Sequence, residues 1–177
     1  MKNEIKTIVY AGNIGEGQGL HTIIPDAAAE LPDYQFVIIG DGGAKHKLEK
    51  ELMSKKIKNV ELRTPVKQDE LVNIYMKADF LFLHLNNYKA FEKVLPSKIF
   101  ELAVFDKPII AGVEGYVKDF LIKNVPNIIL FSPSNSCEMV DKIIHYKYQN
   151  IVRTEFINAF KRENINTEMA KSILEYL

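Results

Sequence analysis

Short, almost uninterrupted apolar runs alternate along this chain with longer stretches in which apolar residues recur every three or four positions. The runs at 7–11, 34–39, 60–62, 80–85, 108–111 and 128–131 read as strands. Phe80-Leu81-Phe82-Leu83 shows the type: apolar on both sides, as strands in the middle of a parallel sheet are. The stretches at 20–31, 44–55, 68–77, 97–104, 116–124 and 136–148 read as helices. This alternation predicts right-handed βαβ units and so an α/β fold: a doubly wound parallel sheet of about six strands with helices on both faces. After Asn150 the pattern turns wholly helical, with Ile151, Phe156, Phe160, Ile165, Met169, Ile173 and Leu174 spaced for one apolar face. The chain thus divides into a sheet domain over 1–150 and a helical C-terminal extension of the same domain over 151–177.

Composition narrows the class. At 177 residues and 47% apolar content the chain can bury one full core. Lys plus Arg equals Asp plus Glu, at 23 each, which argues against a nucleic-acid partner. The single cysteine, Cys137, excludes an internal disulfide framework and a thiolate zinc cluster, and fits a reducing cytoplasm. No apolar run approaches the roughly 20 residues of a membrane span. Residues 1–4 carry no apolar signal region and lead straight into the first strand.

The candidate chemistry gathers where the predicted strands end, the edge at which open α/β sheets bind ligands. Gly12-Asn13-Ile14-Gly15-Glu16-Gly17-Gln18-Gly19 follows the first strand. Its third glycine comes one position too early for a dinucleotide fingerprint, but Gly15 and Gly17 let backbone approach a ligand ahead of a helix start. Gly40-Asp41-Gly42-Gly43 ends the second strand and leaves room for a flat base or ribose, or is only a turn. Arg63-Thr64-Pro65-Val66 leaves the third, as a base-reading segment or as an ordinary strand exit. Pro96-Ser97-Lys98 starts a helix with Glu101 one turn in. Free N–H groups with Lys98 beside them can hold a phosphate, and Glu101 can accept hydrogen bonds from sugar hydroxyls. His84 closes the fourth strand, as a sugar contact or as a satisfied structural histidine. The four histidines form no metal spacing, and there is no Asp-x-Asp, Gly-x-Ser-x-Gly or Walker A loop.

Taken in order, these residues resemble the carboxy-terminal, donor-binding domain of GT-B retaining glycosyltransferases of the group 1 (glycosyl transferase family 4) superfamily. The resemblance runs over about residues 6–145 and is nearest in flavour to bacterial polysaccharide transferases of the N-acetyl-fucosamine type. Val9-Tyr10-Ala11-Gly12-Asn13-Ile14-Gly15, Ile38-Ile39-Gly40-Asp41-Gly42, Tyr75-Met76-Lys77-Ala78-Asp79, Leu95-Pro96-Ser97-Lys98, Glu101-Leu102-Ala103 and Lys107-Pro108-Ile109-Ile110-Ala111 carry it. It implies a Rossmann-like domain that binds a nucleotide-diphospho-sugar, usually UDP-linked. Gly40, Asp41, Gly42 and Val66 would line the base, and Glu101 the ribose. Gly15, Gly17, Ser97, Lys98 and Lys93 would surround the diphosphate, with no cofactor or metal required. Where the family often carries a basic pair this chain has Asn13 and Gln18, and Lys93 stands where a sugar-facing glutamate is common. The resemblance also implies an amino-terminal acceptor-binding domain that these residues do not include. The chain is therefore expected to be a donor half, inactive alone, of a cytoplasmic enzyme that can sit peripherally at the inner face of the membrane. The alternative is a stand-alone nucleotide-binding or regulatory module without transfer chemistry, with a sugar-epimerase half a distant third.

Overall fold

A computed structural model of the chain describes residues 5–174; residues 1–4, read above as leading into the first strand, and 175–177 lie outside the described residues. The described residues build six strands, β1 (Lys6–Asn13), β2 (Tyr34–Asp41), β3 (Val60–Arg63), β4 (Phe80–His84), β5 (Ile109–Gly112) and β6 (Ile128–Phe131). They pair in the order β3-β2-β1-β4-β5-β6, every neighbouring pair parallel. The helices are α1 (Leu20–Glu30), α2 (Lys45–Ser54), α3 (Gln68–Lys77), α4 (Lys98–Leu102), α5 (Tyr116–Asn124), α6 (Ser136–Ile144), α7 (Thr154–Phe160) and α8 (Arg162–Leu174).

Successive strand residues point to opposite faces, and both faces are dry. Ile8, Tyr10, Phe36, Ile38, Phe80, Phe82 and Phe131 meet α1, α2 and α6; Val9, Ala11, Val37, Ile39, Leu81 and Leu83 meet α3, α4, α5 and α7. The chain reverses its direction of winding between β1 and β4, so the loops after these two strands diverge and leave a crevice at the carboxyl edge.

Three local readings need correction. The helix expected over 97–104 contracts to the five residues of α4. The one expected over 136–148 stops at Ile144, because Tyr146 and Tyr148 turn back to make edge-type ring contacts with Phe80, with the Lys6 ammonium over the ring of Tyr148. The wholly helical tail is two helices after a non-helical link. Phe156 is buried and Phe160 packs on the core, but Ile165, Met169, Ile173 and Leu174 on α8 are exposed, so the single apolar face ends at the break between the helices.

Candidate functional site

Two adjoining cavities open at the crevice. The first, about 360 Å³, is lined by Gly12 and Asn13 from β1, Gly40 and Asp41 from β2, Pro65 and Val66 after β3, Leu71 of α3 and Lys98 of α4. The second, about 400 Å³, shares Val66, Leu71 and Lys98 and adds Tyr75, Glu101 and Phe105. Lys98 is the hinge between them. Its Nζ donates to Glu101 Oε2 at 2.8 Å, and its Cε would lie 3.8 Å from a Cβ placed on Gly12. The other oxygen of Glu101 accepts from the Tyr75 hydroxyl at 3.3 Å. Burial, together with the neighbouring carboxylate, pushes the Tyr75 phenol well above its ordinary pKa, so it stays a donor.

Backbone sets the inner wall. Gly12 and Gly40 are register partners, and a Cβ on Gly40 would fall 1.9 Å from the Gly12 carbonyl oxygen, so only glycine lets β1 and β2 run side by side to the crevice. The glycine loop then closes on itself: Asn13 Nδ2 donates to Gln18 Oε1 at 2.8 Å, and the Gly15 N–H to the same oxygen at 3.3 Å. It is also sewn to the β2–α2 loop through Ile14 N–H to Asp41 O and Ala44 N–H to Ile14 O.

Of the residues read from the sequence, the structure brings Gly40, Asp41, Val66, Lys98 and Glu101 around the two cavities. Gly42 lies behind them, where a Cβ would meet Asn13 and Ile14. Gly15 and Gly17 do not line either cavity: the space beside Gly17 is taken by the Phe91 ring, from a 3₁₀ turn at Lys89–Lys93. Lys93 ends that turn and is exposed, as is Ser97, whose side chain caps nothing. With α4 only five residues long, few peptide dipoles align at its start, and the positive charge of the site is the Lys98 ammonium rather than a helix end. His84 is fully buried and both its ring nitrogens are engaged, by Gln18 O and the Ser134 N–H, which leaves no ring atom for a sugar. Sequence reasoning missed Tyr75 as the partner of Glu101; the two lie 26 positions apart, and only the packing of α3 against α4 joins them.

Among the described residues no group of His, Cys, Asp and Glu is arranged to hold a metal ion, and no helix is long and apolar enough to cross a membrane. A family model described as Glycosyl transferases group 1 matches residues 2–163. WcaI of Escherichia coli (strain K12), named as a colanic acid biosynthesis glycosyl transferase, is 27% identical over 176 residues, which are 95% of this chain and 43% of that protein. The crystal structure of Anabaena Alr3699/HepE in complex with UDP superposes with a TM-score of 0.81 at 17% identity, over 97% of this chain and 49% of that one. The apo form of the lipopolysaccharide outer core galactosyltransferase WaaB gives 0.73 at 17%, over 99% and 51%. The chain therefore spans about half the length of these relatives.

Proposed function

The chain belongs to the group 1 glycosyl transferases, and from that membership we propose that it binds the donor, a UDP-sugar, for a retaining glycosyl transfer in cell-surface polysaccharide synthesis. The observation that carries the reading is the pair of cavities joined at Lys98, with a carboxylate on one side and main-chain wall on the other. The base would rest between Gly40 and the Val66–Leu71 rim. The ribose hydroxyls would donate to Glu101, which Tyr75 holds in place. Lys98 would then exchange Glu101 for the diphosphate, putting a cation where negative charge develops as the sugar leaves. The UDP bound in HepE and the product class in the name of WcaI support this reading. The donor would be a hexosyl or acetamido-sugar nucleotide.

Transfer needs an acceptor held opposite the donor. We take that task to belong to a separate amino-terminal domain, with residues 151–177 as an extension of the donor domain, and expect the chain alone to be inactive. The free, exposed Cys137 fits a reducing compartment such as the cytoplasm, where the full enzyme could meet the inner face of the membrane. Because Lys98 supplies the charge, no metal is required. UDP at about 100 times its Kd should stabilise the chain by roughly 2.7 kcal/mol, equally with magnesium or with a chelator. Glu101→Ala should abolish that shift in melting temperature. No shift at millimolar UDP, or one that needs a divalent cation, would overturn the reading.

A further inference from the structure

His84 is a buried polar side chain beside the glycine loop that the donor reading leaves unused. Its ring is one of three near-parallel rings set at the corners of a triangle, with centroids 6.1 Å from Phe82 and 5.9 Å from Phe131, which are themselves 6.3 Å apart. Gly112 leaves the room: a Cβ there would come within 2.3 Å of His84 Cδ2. A phenylalanine would fill the same stack without burying a polar group, a burial that costs free energy unless each nitrogen is bonded. Both are. The Ser134 N–H points at Nε2 from 3.0 Å. A backbone amide can only donate, so Nε2 carries the lone pair and the proton sits on Nδ1, 2.5 Å from the carbonyl oxygen of Gln18.

The bond reaches further than its length. Gln18 is the residue whose side chain accepts from Asn13 and from the Gly15 N–H, and Asn13 lines the first cavity. Two residues beyond His84, Asn86 reinforces the hold: its N–H donates to Gly17 O, its Nδ2 to Glu16 O, and its Oδ1 accepts from the Ser134 hydroxyl. The exit of β4 thus ties the glycine loop to the β6–α6 loop, with His84 as the buried fastening.

We propose that His84 is a positioning residue: as the neutral Nδ1–H tautomer it fixes Gln18, and through Gln18 it presets Asn13 and the glycine loop for the nucleotide. The ligand part of this proposal rests on the donor reading; the tautomer and the loop do not. The test compares the intact chain with His84→Asn, which keeps a donor near the Nδ1 position, His84→Gln, which keeps a polar end near Nε2, and His84→Phe, which keeps the stack alone. Stability to urea should fall in both the Asn and Gln variants, since both lose the ring. UDP affinity by calorimetry should separate them: near that of the unmodified chain for Asn, and about tenfold weaker for Gln and Phe, one net hydrogen bond's worth. Affinities that simply follow stability, or that are equal in Asn and Gln, would overturn the proposal. Should His84→Phe not fold, the contrast between Asn and Gln decides. If UDP does not bind the unmodified chain, the donor reading fails and two measurements still judge this one. Nitrogen NMR of the ring should show the proton on Nδ1, and amide exchange at residues 15–19 should speed up in Gln but not in Asn. A proton on Nε2, or unchanged exchange, would sink it.

Discussion

Glu101 is gripped from two sides before any ligand arrives, by an ammonium on one oxygen and a buried phenol on the other. The asymmetry matters to the proposed exchange, because the Lys98 side chain is partly exposed while Tyr75, 1% exposed, is locked in the core. His84 is the residue with the clearest pH signature. Burial pushes its pKa down to about 4, against about 6.5 for a histidine in water, despite the bond to Gln18. The folded state therefore disfavours the proton that the unfolded state takes up. Its contribution is complete above about pH 6.5 and is lost as pH falls toward 4, a loss on the order of 3 kcal/mol. Urea titrations between pH 7 and pH 4 should show that decline in the unmodified chain. They should show a flatter profile in His84→Phe, and parallel profiles would mean that another group titrates.

The tail is held to the sheet by Arg153 and by the aromatic residues of α7. Arg153, 2% exposed, donates to four main-chain carbonyls: Pro126 O at 2.8 Å, Lys107 O at 2.9 Å, Asn127 O at 3.1 Å and Phe105 O. Burial outweighs the attraction of the nearby Asp106 carboxylate and lowers its pKa to about 10, still charged at neutral pH. Four directed bonds from a planar fork satisfy a charge that would otherwise be very costly. Arg153→Ala should cost at least about 3 kcal/mol in urea unfolding, and Arg153→Lys should recover less than half of it, since an ammonium cannot reach all four oxygens. From that anchor α7 carries Phe156 and Phe160 onto Phe100 of α4 and Phe120 of α5. The next helix behaves differently, because its apolar residues face outward. Truncation after Lys161 should shift stability by less than about 1 kcal/mol, whereas Phe156→Ala should cost about 3 kcal/mol or more by the same measurement. The sequence pattern ran one stripe through both helices; the break at Lys161, where ψ is 130°, falls between residues of ordinary helical propensity and is set by tertiary packing.

At the scale of the molecule, the sheet could be read from the sequence because strands dry on both faces are continuous apolar runs. Their shared carboxyl edge followed from the βαβ alternation. Gly40, Val66, Lys98 and Glu101 could be placed on that edge for the same reason. What could not be read was which of them would face one another. The Tyr75–Glu101 contact, the use of Gly17 to seat Phe91 and the burial of His84 depend on how α3, the 3₁₀ turn and the β6–α6 loop meet, and no local spacing encodes that. One consequence of the sheet's geometry reaches past the ligand itself. Where β1 and β2 meet at Gly12 and Gly40, the inner wall of the pocket is written in main-chain atoms, an alphabet of one letter that mutation cannot respell without prising two strands apart. If the donor's base rests against this wall as proposed, any drift in preference for one base over another must be composed at the rim, by Val66 and Leu71, while the recess beneath them keeps its shape.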